Sequence, residues 1–142
     1  MTKLTANSSA LDVVLHDERA REVNKAAPPT PPTPRRLLDL LTSDERKRYP
    51  MAAGLLDYFP DALAEVSNVS WEGNEKHNPG QPLHWARGKS MDHADCIVRH
   101  LAQRGGFDGK IRHSAALAWR ALALLQEELE DERGLSLPRS AR

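Results

Sequence analysis

Apolar residues recur with a helical period in three stretches of this chain, and the strict alternation of half-buried strands is absent. In PDALAEVSNVSWEG, Ala62, Leu63, Val66 and Val69 share one side, and Pro60 stands where a first helical residue belongs. A second helix is expected to start with Ser90 as its N-cap, to run through MDHADCIVRHLAQR and to stop at Gly105-Gly106. The third, HSAALAWRALALLQEELEDER, is apolar nearly all round from Ala115 to Leu125, which predicts a buried central helix. Before these, RRLLDLLTSDERKR at 35–48 shows helix-like spacing. Thr42 or Ser43 is placed to cap a short turn, Asp44 and Glu45 suit its start, and Tyr49-Pro50 ends it. The loop NEKHNPGQPLHWARGK joins the first two long helices. The expectation is a small all-α domain over residues 35–131.

The flanks read differently. Five of the ten prolines fall between Pro28 and Pro34, in AAPPTPPTP, a stiff extended linker that cannot pack a core. With the polar stretch before it, this predicts a disordered, proline-rich arm over residues 1–34. Gly134 and Pro138 end the last helix and predict a flexible tail over 132–142. Acidic and basic residues balance at twenty each, which argues against an extended nucleic-acid surface. There is no apolar run long enough for a membrane span and no signal-peptide layout. A single cysteine, Cys96, cannot form an internal disulfide, so a reducing cytoplasm is the expected setting. The folded part is small and its central helix very apolar, which predicts a homo-oligomer.

Candidate chemistry concentrates between Trp71 and His100, a stretch that holds four of the six histidines. On the first helix Asp61, Glu65, Asn68 and Glu72 form an acidic stripe, the ordinary reading of which is a solvated face. On the second, Asp92, Asp95, Cys96 and Arg99 group on one side, while Ala94, Ile97, Val98 and Leu101 fill another. Asp92 and Asp95 lie one turn apart. Either Arg99 pairs with Asp95, or a hard divalent cation sits between the acids with Glu65 as a third ligand. His93 and His100 are too far apart along the helix to share a metal, and zinc spacing is lacking. Arg120, inside an apolar helix, needs either an acid such as Asp92, Asp95 or Glu127, or a phosphate. Lys76, Arg87 and Lys89 in the loop suit phosphate oxygens, and Trp85 suits a base or the core. HWARGKS shares only its last letters with a phosphate loop, and neither the first glycine nor the preceding strand is present.

The stretches GLLDYFPDAL, GNEKHNPGQPLHWARGKS, DHADCIVRHL and RHSAALAWRALALLQ together resemble a family of small phage and bacterial proteins. The family is named for the N-terminal domain of dATP/dGTP diphosphohydrolases, and the resemblance covers residues 49 to 126. It implies release of pyrophosphate from a purine deoxynucleoside triphosphate. All-α pyrophosphohydrolases of the MazG type hold Mg²⁺ with ExxE on one helix and ExxD on the next. Here Asp92 and Asp95 stand for the second motif. Glu65 with Asn68 stands for the first, with an amide in place of one acid, while Glu72 and Glu75 straddle Gly73-Asn74, where the helix is expected to end. By this reading Glu65, Asp92 and Asp95 hold Mg²⁺ or Mn²⁺, and Lys76, Lys89 and Arg99 bind phosphates. His84 or Trp85 contacts the base, His77, His113 and Arg120 contribute to the substrate site, and His100 moves a proton. The alternatives are a nucleotide-binding or signal-sequestering module without turnover, and an accessory protein that docks through its arm.

Overall fold

The computed structural model describes residues 33–89 and 91–141, and the expected arm at 1–34 lies almost entirely outside the described residues. A 3-10 turn at Leu37–Leu40 leads into a one-turn helix α1 (Ser43–Arg46). Thr42 caps α1: its hydroxyl accepts from the Glu45 amide, and the Glu45 carboxylate accepts from the Thr42 amide at 2.8 Å. A π-helical turn at Ala52–Leu56 precedes α2 (Pro60–His77), which has Pro60 in its first turn. A 3-10 turn at Arg87–Lys89 interrupts the next loop. Then come α3 (His93–Ala102), the hairpin strands β1 (Phe107–Asp108) and β2 (Ile111–Arg112), and α4 (His113–Arg133). The strands are antiparallel with Asp108 opposite Ile111, and Gly109 turns the chain between them at φ 59°. Gly134 ends α4 in the left-handed conformation.

The layout is mostly helical, as expected, with α4 as the element against which α2, α3 and β2 all pack. Four expectations are corrected. First, α2 does not end at Gly73-Asn74 but continues to His77. A glycine costs a helix about 1 kcal/mol, and the anchoring of this turn outweighs it: Asn74 Nδ2 donates to the Gln81 carbonyl at 3.0 Å, and one turn earlier Trp119 Nε1 donates to Ser70 Oγ at 2.7 Å. Second, α3 starts at His93 with Asp92 as its N-cap. Ser90, the expected cap, lies outside the described residues.

Third, α4 is central but not buried all round: Leu122 and Leu125 are half exposed, while Ala115, Ala116 and Ala123 face inward. Fourth, residues 132–133 still belong to α4, and the described segment after it makes hydrogen bonds to the rest of the domain. The Ser136 amide donates to the Arg35 carbonyl, Arg36 donates to the carbonyls of Ser136 and Leu137, and the Trp85 amide donates to the Ser140 carbonyl. Backbone groups at 136 and 140 thus find partners within the domain.

On α3 the inward face is the polar one. His93 and Cys96 are buried and His100 is half-buried, whereas Ala94, Val98 and Leu101 point to solvent. On α2 the acidic residues Asp61 and Glu65 are exposed, as a solvated stripe requires, and Leu63, Val66 and Val69 are partly covered.

Candidate functional site

A cavity of about 790 Å³ opens between α2, the loop after it, the hairpin, α4 and the segment 138–141. That volume falls in the range of small-molecule sites. From α2 it receives Ser70, Gly73, Asn74 and His77, which recur at helical spacing and so share one face. The loop supplies His84, Trp85 and Lys89, α3 supplies His100, the hairpin supplies Asp108, and α4 supplies Trp119 and Arg120. Lys76 also lines it. The C-terminal segment closes one side with Pro138, Ser140 and Ala141. Ala141 is buried because Trp85 pairs with it as an isolated parallel bridge.

The aromatic wall is built by fixed contacts. The rings of Trp85 and Trp119 meet edge to face at 5.7 Å. Trp119 is oriented by its indole donation to Ser70. Trp85 is covered by the Arg87 guanidinium, 4.4 Å from the ring centre. Arg87 in turn grips α4: its Nη2 lies 2.5 Å from Glu130 Oε2 and its Nη1 3.3 Å from Oε1, with Glu127 at 3.6 Å. Gln126 donates to the same Glu130 carboxylate at 2.7 Å. Glu130 is buried, so this forked ion pair holds the loop bearing His84, Trp85 and Lys89 against the domain.

Behind the wall the histidines form contacts of their own. His100 Nδ1 and His113 Nδ1 are 2.9 Å apart, so one ring donates to the other. Burial, followed by the charges of His113, Arg99 and Arg120, holds the His100 imidazole below its ordinary value, and Asp108 opposes the shift. His93 Nδ1 lies 3.5 Å from Arg120 Nη1. Its Nε2 lies 3.4 Å from Glu127 Oε2, close enough for attraction but without hydrogen-bond alignment, so it is left without a true hydrogen-bond partner.

The structure therefore brings Lys76, His77, His84, Trp85, Lys89, His100 and Arg120 to one cavity. His113 stands behind His100 as its hydrogen-bond partner. Arg99 does not line the cavity and is exposed; its Nη2 donates to Cys96 Sγ at 3.0 Å, and Cys96 reaches Asp92 Oδ2 at 3.4 Å. Asp92 and Asp95 are exposed at the start of α3, and Glu65 is exposed on α2, away from the cavity lining. Among the described residues no three His, Cys, Asp or Glu side chains gather as a metal-binding group. The expected trio of Glu65, Asp92 and Asp95 thus does not fit a metal cage.

Sequence reasoning did not single out Ser70, Asn74, Asp108 or the 138–141 wall. The α2 residues carried a signal, since Ser70, Asn74 and His77 follow a 4-3 spacing next to the acidic stripe. The wall had none, because only long-range pairing with Trp85 places it.

A family model described as dATP/dGTP diphosphohydrolase, N-terminal, matches residues 42–135. No curated protein and no solved structure matches the chain.

Proposed function

The chain belongs to the dATP/dGTP diphosphohydrolase N-terminal family, and from that premise we propose that its cavity binds a purine deoxynucleoside triphosphate and cleaves it to monophosphate and pyrophosphate. The observation that carries this reading is the single cavity that joins an indole wall to cationic groups. Trp85 and Trp119 offer faces and edges for a purine, and Lys76, Lys89 and Arg120 offer positive charge for phosphate oxygens. Lys76 and Lys89 are exposed and so reach the mouth of the cavity, where a triphosphate would remain partly hydrated. His100, held neutral near pH 7, is suited to accept a proton from a water that attacks the phosphorus. His113 fixes the ring through Nδ1, and in the tautomer where His100 Nδ1 donates to His113 its Nε2 carries the lone pair for that task.

Mg²⁺ or Mn²⁺ is kept as a proposed companion of the triphosphate, with no protein cage assigned to it. No helix among the described residues is long and apolar enough to cross a membrane. A deoxynucleoside triphosphate substrate would place the proposed activity in the cytoplasm.

A second reading is a nucleotide-binding module without turnover. The dispersal of Glu65, Asp92 and Asp95 favours it, since the acids of a MazG-type site do not converge among the described residues. Two measurements separate these readings. Pyrophosphate release from dATP and dGTP, with Mg²⁺, Mn²⁺ or a chelator, is expected to require a metal. Calorimetric binding of the same nucleotides is expected to weaken roughly tenfold in Lys89→Ala, for the loss of one charge-assisted contact. Binding without pyrophosphate release under any condition selects the module; no binding at all rejects both.

A further inference from the structure

Asn74 sits in the last turns of α2 and is only 4% exposed. Its Nδ2 donates to the Gln81 carbonyl at 3.0 Å. A carbonyl accepts only from the nitrogen end of an amide, so this bond fixes which way the side chain faces. Oδ1 is then left without a hydrogen-bond partner among the described residues. A buried acceptor in that state is costly, and native structures keep few of them. The side chain lines the cavity, and Ser70, one turn earlier on the same face, holds the indole of Trp119. An unfilled, buried acceptor therefore belongs to a residue of the cavity lining, one helical turn from the serine that orients the aromatic wall.

We propose that Asn74 is a specificity-determining residue whose Oδ1 accepts an N–H from the exocyclic amino group of a purine seated against Trp119 and Trp85. The inference rests on the nucleotide reading given above. The Gln81 bond takes one N–H of Nδ2 and leaves Oδ1 as the unpaired acceptor, so a base edge that offers an amino group to that oxygen gains a bond. An edge that offers a carbonyl oxygen meets repulsion, and one that offers only C–H leaves the lone pair unfilled. Discrimination of this kind comes from the unpaired group left behind in the wrong complex.

The test is calorimetry on the native protein with Mg²⁺, using α,β-imido triphosphates, which resist cleavage between the α and β phosphates. Two pairs are compared: the adenine nucleotide with its purine counterpart lacking the 6-amino group, and the guanine nucleotide with its hypoxanthine counterpart lacking the 2-amino group. In at least one pair the amino-bearing member is expected to bind roughly 5- to 100-fold tighter. In the nearly isosteric Asn74→Leu variant that ratio is expected to collapse to within about twofold, as a double-mutant cycle between side chain and ligand requires. Equal affinities within both pairs in the native protein overturn the proposal and leave a structural water as the partner of Oδ1. A ratio that survives in Asn74→Leu also overturns it. If neither adenine nor guanine nucleotide binds, the nucleotide reading itself has failed, a result distinct from binding without amino-group preference.

Discussion

His100 concentrates the electrostatics of the cavity in one ring. Burial, followed by the neighbouring His113, Arg99 and Arg120, depresses its proton affinity, and Asp108 acts in the opposite direction. Replacing Asp108 with Asn is therefore expected to move the His100 titration further down, and Arg99→Gln to move it up, each followed by NMR of the imidazole. Shifts in the same direction would contradict this balance. The linkage follows from the sign. The unfolded chain has an ordinary imidazole, which titrates near 6.5, so between the lowered value and 6.5 it binds more protons than the fold. Stability from His100 is thus complete above that interval and is lost as the pH falls through it. The inward turn of His93, Cys96 and His100 could not be read from apolar periodicity. That rule sends Ala94, Val98 and Leu101 inside, whereas the polar partners waiting on α4 decide the rotation of α3.

Between elements, the grip of Arg87 on Glu130 and Glu127 fastens the loop after α2 to the last helix. The side chains of Arg87 and Glu130 are 18% and 8% exposed, so the pair is largely shielded. Glu130→Ala leaves the guanidinium with the looser Glu127 contact and is expected to cost about 3 kcal/mol, the low end of what breaking a buried pair costs. Urea denaturation checks it. The double replacement Arg87→Met with Glu130→Leu is expected to recover most of that loss, because no charge is then stranded. Local rules made several features of these elements legible: a cap at Thr42 or Ser43, of which the structure uses Thr42, Pro60 at the start of α2, and the start of α4 at His113. The two-residue strands are too short to show alternation. The bond from Arg87 to Glu130 spans 43 positions, a pairing that no local pattern reveals.

For the molecule as a whole, the fully buried apolar side chains among the described residues are small, Cys96, Ala115, Ala116, Ala123 and Ala141, while many large ones are only partly covered or exposed. Val98 at 67% and Leu101 at 49% on α3, with Leu122 and Leu125 near 50% on α4, leave these two helices with apolar surface on the solvent side. Surfaces of this kind are uncommon on monomers. A second copy is the proposed cover, and sedimentation is expected to show a dimer or larger species that Val98→Glu with Leu122→Glu reduces to a monomer. A monomeric native chain would reject the proposal. The fold class and most of the cavity's cations were legible from sequence. The gathering point was not, because the acids that looked like a pair of motifs lie outside the cavity lining and the walls come from segments far apart in the chain. The strap from Pro138 to Ala141, held by one backbone bond from Trp85 and one bridge, forms part of the cavity's lining. A clip or fusion within these few residues would therefore change ligand capture while leaving helicity intact, so spectroscopic evidence of a folded sample would say little about whether its receptor is whole.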